Sequence, residues 1–153
     1  MKRFRSCNRF ARIGVFLVTM MIVASWSWAA EQTILLTADK AGKGASGEVV
    51  IRDTGSGQKE IAIAVKGLKP GGVYTVWFVT MSPKMDMAGI GSPDYVIKID
   101  DKGQGTYRAT VTAADFAKWQ VIEIAYHQTG DPKDMKHLEG ALKGGLAAGG
   151  MGM

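Results

Sequence analysis

The sequence predicts an all-β fold, an immunoglobulin-like antiparallel β-sandwich of about seven strands with one short helix. Three observations predict it. From Gln32 onward apolar and polar residues alternate with a period of two, the alternating segments are rich in β-branched and aromatic residues, and glycine-rich turn sequences separate them. Short strands that follow one another so closely are typical of antiparallel sandwiches and barrels.

Seven segments carry this strand pattern, and each is bounded by residues that favour turns. In chain order they are 33–38, 48–52, 60–65, 73–79, 94–99, 106–111 and 121–126. Reversals are predicted at 53–57, 69–72 and 101–105, because the glycines there supply the positive φ angles that tight turns need. Turns this short join antiparallel neighbours.

The last segment, 121–126, is expected to bury only one of its faces. Ile122 and Ile124 point to one side of the strand, whereas Glu123 and His127 point to the other. Alternation of this kind is typical of a strand with one face in the core and one in a wetter environment. We therefore expect His127 to lie on the wetter side.

Two further features indicate where the core lies. The segment 73–79 is apolar on both faces, as a central strand would be, and we expect Trp77 or Phe78 at the middle of the core. The one short helix is predicted at 112–115, whose Thr-Ala-Ala-Asp spacing is that of a capping box. Phe116 follows directly, so the helix is expected to close one end of the sandwich.

The first part of the chain has the layout of a secretory signal peptide. A basic head precedes the almost purely apolar run 13–23, and small residues favour cleavage after Ala29. The run is short for a membrane span, although an uncleaved anchor over 13–30 stays open as an alternative.

The predicted regions are a signal peptide at 1–29, a β-sandwich domain at 30–143 and a flexible Gly/Met-rich tail at 144–153. We expect a periplasmic or secreted protein, with membrane contact only if the leader is uncleaved.

The charge of the chain belongs to this leader. The formal net charge is +5, and all of it is supplied by the basic residues ahead of the apolar run, so the remainder is formally neutral. A formally neutral domain does not indicate a nucleic-acid partner, because such partners are usually bound by a strongly basic surface. The single cysteine, Cys7, also lies in the leader, so the exported part has neither a thiol nor a disulfide.

Between about residues 64 and 142, several turn and strand residues follow one another in the order found in a known domain family. They are a Gly-Leu-x-Pro turn, a Val-Trp pair in the next strand, an Ala-Gly loop and an Asp/Gly hairpin, carried here by Gly67, Leu68, Pro70, Trp77, Ala88, Gly89, Asp101 and Gly103. In these residues the chain resembles the extracytoplasmic C-terminal domain of anti-sigma-K-type factors. The resemblance implies a β-sandwich outside the membrane. It does not imply sigma-factor inhibition, because the zinc-containing sigma-binding domain of those factors has no counterpart here.

The methionines beyond the leader all lie outside the predicted strands. The stretch MSPKMDMAGIG at 81–91 holds three of them and, because it contains Pro83 and Gly89, is not expected to form a regular strand. Methionine that fills a core should lie within the strands. Thioethers select Cu(I), and imidazole also binds copper. We therefore predict a copper(I) site of Met81, Met85 and Met87 with His127 or His137 as a nitrogen donor, and we include Met135 among the candidate ligands.

The sequence favours an exported, non-catalytic binding or accessory protein of the cell envelope. One alternative is a protein-interaction module, related to anti-sigma factor ectodomains, that uses the same loops to bind an envelope protein without metal. Another is that the methionine loop is only an apolar lid over the sandwich. No enzyme is expected, because the chain has neither a Gly-x-Ser-x-Gly nucleophile motif nor a glycine loop that opens a helix. The acidic stretch at 100–103 misses the EF-hand spacing and fits a hairpin turn.

Overall fold

The computed structural model describes residues 30–146, which form a single antiparallel sheet of nine strands that curls on itself. The strands are β1 (Glu31–Ala38), β2 (Ser46–Asp53), β3 (Gln58–Lys66), β4 (Val73–Thr80), β5 (Asp86–Gly89), β6 (Val96–Ile97), β7 (Gly105–Thr112), β8 (Val121–His127) and β9 (Leu138–Gly145). A 3-10 helix at Lys40–Gly42 and the α-helix α1 at Ala113–Phe116 complete the described elements. The strand order is β5-β4-β8-β9-β1-β2-β3-β7, and β6 also pairs with β4.

The all-β prediction is confirmed, and each of the seven predicted segments contains a strand. The segment predicted at 94–99 is reduced to the two residues of β6. Two strands were missed, β9 and β5. The expectation that 81–91 contains no regular strand is wrong for Asp86–Gly89, because pairing with β4 organises a segment whose own residues carry no strand signal.

Strand β1 joins the two halves of the sheet. Its first six residues pair with β2, while Thr37 and Ala38 pair with Lys143 and Leu142 of β9. The sheet therefore bends within β1, and the apolar faces of the two halves meet. The buried residues between them include Ile34, Leu36, Val49, Ile51, Ile61, Ile63, Tyr74, Val76, Phe78, Ile122, Ile124 and Leu142.

Helix α1 closes one end of this core, as the sequence predicts. The Thr112 side chain caps the helix by accepting a 3.1 Å hydrogen bond from the Asp115 backbone N–H. Phe78, 1% exposed, packs edge-on against Phe116 and stacks on Trp119 at 5.9 Å between ring centroids. Phe78 thus lies at the middle of the core, where the sequence predicts either Trp77 or Phe78.

The second face of β8 is not the wetter face that alternation predicts. Ala125 and His127 are each 1% exposed, and Thr75 on the neighbouring strand β4 is fully buried. Strand β8 lies between β4 and β9, so it is a central strand of its half of the sheet. Tyr95 also covers this face, with its ring 5.4 Å from that of Trp77.

The domain extends beyond its predicted end at 143. Gly144 belongs to β9, where a Cβ atom would lie 2.8 Å from the Ile34 side chain, and Leu146 is buried. The Leu146 N–H donates a 2.7 Å hydrogen bond to the Gln120 carbonyl. The predicted leader at 1–29 and the rest of the predicted tail, 147–153, lie outside the described residues. Within 30–146, no helix combines the length and the apolar character needed to cross a membrane.

Candidate functional site

The antiparallel pairing of β4 with β8 divides the predicted copper ligands into two groups. Val73 at the start of β4 lies opposite His127, whereas Met81 follows the far end of β4. Eight residues of extended chain separate those ends, a distance of about 26 Å. Met135 and His137 lie in the connection from β8 to β9, at the His127 end. The structure therefore places Met81, Met85 and Met87 at the opposite end of the sheet from His127 and His137, the two histidines that the sequence offers as their nitrogen donor.

His127 is a buried structural residue. Its Nε2 lies 2.7 Å from the Thr75 hydroxyl, which also accepts a 2.7 Å hydrogen bond from the Trp77 indole N–H. The other ring nitrogen, Nδ1, is buried without a hydrogen-bond partner among the described residues. Because the ring is 1% exposed and its Nε2 is occupied, we remove His127 from the candidate site.

The other two ligands of that group lie on the surface. The His137 ring is exposed, and its Nδ1 lies 2.7 Å from Oδ2 of Asp134. The hydrogen bond from His137 is the main reason that the pKa of Asp134 falls to about 2, and the Lys136 backbone N–H lowers it further. Met135 is 46% exposed. This end of the sheet therefore carries a hydrogen bond between His137 and Asp134 and an exposed thioether.

The three methionines at the opposite end share one hairpin. The last pair of the ladder is Thr80 with Asp86, and Met81 and Met85 flank the loop directly beyond it. Met87 lies within β5 and pairs with Val79. The β4–β5 hairpin thus carries three flexible thioethers, which we call the methionine face (Met81, Met85 and Met87).

Gln120, directly before β8, holds this hairpin in place. Its Oε1 accepts a 2.8 Å hydrogen bond from the Met81 backbone N–H, and its Nε2 donates one of 3.1 Å to the Ser82 carbonyl. Its backbone N–H bonds the Val79 carbonyl at 3.1 Å. Sequence reasoning missed Gln120, because a single polar residue ahead of a strand carries no signal of what it contacts.

The donor atoms available on the methionine face are sulfur atoms. Within 30–146, no group of three or more His, Cys, Asp or Glu side chains is placed to hold a metal ion. Thioethers are neutral and soft, so three of them form a poor site for Zn²⁺ or Ca²⁺ and a suitable one for Cu(I). The donor atoms of this hairpin are therefore better suited to a soft cation or an apolar partner than to a hard cation.

A second polar group lies on the outer face of β8 and β9. Glu123 is opposite Lys143, whose Nζ is 3.1 Å from Oδ2 of Asp39. Both carboxylates approach the space above Gly140, which has no side chain to fill it. Burial, reinforced by Asp39, raises the pKa of Glu123, whereas the hydrogen bond from Lys143 lowers the pKa of Asp39. Sequence reasoning missed this group, because Asp39, Glu123 and the two β9 residues come from distant parts of the chain.

Comparison of the chain with protein-family models, with curated proteins and with solved structures finds no match. The resemblance to the ectodomain of anti-sigma-K-type factors stays a prediction that rests on its turn and strand motifs.

Proposed function

We propose that this protein is a non-catalytic binding protein of the cell envelope that holds Cu(I) on the β4–β5 hairpin through the thioethers of Met81, Met85 and Met87. One observation carries the proposal. These methionines lie on one hairpin, within seven residues of one another, and Met81 and Met85 are 62% and 64% exposed. Neither of these two side chains fills the core, so their sulfur atoms are free to meet a ligand.

The physical properties of thioethers support this choice of ligand. A thioether needs no deprotonation before it binds a metal, and it cannot be lost to a disulfide in an oxidising compartment. Methionine side chains are also flexible enough to bring their sulfur atoms to one ion from neighbouring backbone positions. The hydrogen bonds from Gln120 fix the hairpin backbone, which reduces the ordering that binding requires.

The test is an anaerobic Cu(I) titration of the purified protein against a competing chelator. Replacing Met81, Met85 and Met87 together with leucine keeps the apolar surface and removes the sulfur. We expect the affinity for Cu(I) to fall roughly hundredfold or more, because the metal loses its soft ligands. The matched control is Met135→Leu, an exposed methionine at the other end of the sheet, which should leave the affinity unchanged. Equal affinities in wild type and the triple variant would contradict the proposal.

The second candidate function is binding of an envelope protein by the same face without metal, as in a module related to anti-sigma factor ectodomains. The observation that favours it is the exposure of Met81 and Met85, since adjacent exposed apolar side chains often mark a protein-binding surface. The triple leucine variant separates the two functions. Leucine preserves an apolar contact with a protein but cannot replace a sulfur ligand.

A further inference from the structure

The curled sheet does not close between its two outermost strands. Strand β7 lies at one end of the strand order and β5 at the other. A groove of about 720 Å³ runs between the edge of β7 and the segment that contains Gly89, Gly91 and Ser92. Ala114 and Lys118, from α1 and the turn after it, line one end of the groove.

The direction of the backbone groups along β7 follows from one hydrogen bond. The Ala113 N–H donates to the Gly57 carbonyl, just beyond the last pair between β7 and β3. In an antiparallel ladder, alternate residues direct both of their backbone groups to the same neighbour. Tyr107, Ala109 and Val111 therefore bond β3. Arg108 and Thr110 direct their N–H and C=O groups away from β3, into the groove.

These outward groups have no backbone partner among the residues that the structure describes. Exposed edges are usually protected by a short strand, a proline, a bulge or charged side chains. Strand β7 is eight residues long, contains no proline and pairs with β3 in regular register throughout. Its only charged residue is Arg108, whose guanidinium bonds Glu60 of β3 at 2.9 Å. The edge is thus regular, unprotected and rich in residues that favour strands.

The opposite wall of the groove packs against the half-buried side chains of β7. Gly91 lies so close to β7 that a Cβ atom there would be 2.6 Å from the Tyr107 hydroxyl and 3.0 Å from the Ala109 Cβ. The Tyr107 hydroxyl donates a 2.6 Å hydrogen bond to the Ile90 carbonyl. This contact fixes the opposite wall of the groove relative to β7. Asp115 pairs with Lys118 at 3.1 Å, so the charges at this end compensate each other.

We infer that the edge of β7 from Arg108 to Thr112 is a binding site for an extended segment of another polypeptide, added to the sheet as a further strand. Only an extended backbone can satisfy a row of alternating N–H and C=O groups. The half-buried side chains of Ala109 and Val111 favour small apolar residues at alternate positions of that segment. The compensated charges favour a segment without net charge. This site is separate from the methionine face, and it does not depend on copper binding.

Amide hydrogen exchange measured by NMR tests the inference on the wild-type protein. In the free protein the Arg108 and Thr110 amides should exchange much faster than those of Ala109 and Val111. The probe is the peptide acetyl-Thr-Val-Ser-Val-Thr-Val-Ser-amide, and its control is the isomer acetyl-Val-Val-Val-Thr-Ser-Thr-Ser-amide, which has the same composition without alternation. At saturation the alternating peptide should slow exchange at Arg108 and Thr110 about tenfold or more, because those amides become hydrogen-bonded.

Thr110→Pro provides a second test. The Thr110 N–H faces the groove, so proline there removes no bond to β3 but blocks pairing with an added strand. We expect this variant to lose about tenfold or more in affinity for the alternating peptide, whereas Thr110→Ala, which keeps the N–H, binds as wild type does.

Three results would overturn the inference. They are unchanged exchange at Arg108 and Thr110 with millimolar alternating peptide, equal slowing by both peptides, and slowing that depends on protein concentration without peptide. The last would identify a second copy of this chain as the occupant of the edge.

Discussion

The Oγ1 atom of Thr75 and the Nε2 atom of His127 lie 2.7 Å apart in the interior, and neither residue is more than 1% exposed. The same hydroxyl accepts the Trp77 indole N–H at 2.7 Å. Because the indole can only donate, the hydroxyl accepts that bond, and its second bond joins it to Nε2. Thr75 thus connects two ring nitrogens that would otherwise be unpaired.

Removal of the Thr75 hydroxyl should destabilise the protein. Thr75→Val keeps the shape of the side chain but leaves the Trp77 N–H and His127 Nε2 without a partner, so we expect a loss of about 2 kcal/mol in the free energy of unfolding. Thr75→Ser keeps the hydroxyl and loses one methyl group, which should cost about 1 kcal/mol. Urea unfolding of both variants measures the difference. Equal stability of the valine variant and wild type would show that the hydroxyl contributes nothing.

Gly42 should tolerate no side chain. A Cβ atom at this position would overlap the Ala141 carbonyl oxygen, and that backbone is held inside the sheet. Gly42→Ala must therefore displace the 3-10 helix from β9, at a cost of about 3 kcal/mol. Gly145→Ala is the control within β9, since nothing lies within 4 Å of its Cβ position, and its stability should stay close to wild type. Thermal unfolding of the two variants gives the comparison, and similar losses in both would contradict the close-contact explanation.

Glu123 should make the protein less stable as the pH rises. Burial, with Asp39 nearby, raises the pKa of Glu123 in the folded state above its value in the unfolded chain. Between those two values the folded state holds the proton and the unfolded state has lost it, so stability falls with increasing pH across that window. Glu123→Gln removes this titration. The variant should therefore gain stability relative to wild type as the pH is raised from below the unfolded pKa to neutrality.

Chemical denaturation at a series of pH values measures this difference. Asp39 titrates in the opposite sense, because Lys143 lowers its pKa, and its contribution is lost as the pH falls. The comparison with Glu123→Gln is therefore made at each pH, so that the Asp39 contribution largely cancels. A stability difference that does not change with pH would refute the role given to Glu123.

Local patterns predicted the strands whose own residues carry a period of two, and the capping box predicted α1. Strands β5 and β9 were missed because their residues have no such preference. The sequence of β5 is Asp-Met-Ala-Gly, and β9 contains three glycines. Both strands form because a neighbour offers a ladder of hydrogen bonds. At Gly144 glycine is required, since the Ile34 and Leu36 side chains occupy the space of a Cβ atom.

For the candidate site, too, the sequence predicted local features but not the contacts between distant segments. The confinement of Met81 and Met85 to a turn was visible in the sequence, and the structure places both on the surface of one hairpin. Their combination with His127 was wrong, because the sequence does not show which ends of two strands meet. Antiparallel pairing puts the end of β8 beside the start of β4, and the histidine becomes part of the interior.

The sequence by itself determined the all-β class, the positions of most strands and turns, and the presence of thioethers outside the main strands. These are local properties, set by alternation, by the φ angles that glycine permits and by the chemistry of each side chain. Only the tertiary structure decided which residues share a face, which histidine is buried and which strand edge has no partner within residues 30–146. Those outcomes depend on pairing between residues far apart in the chain, and a one-residue change of register would reverse every one of those faces.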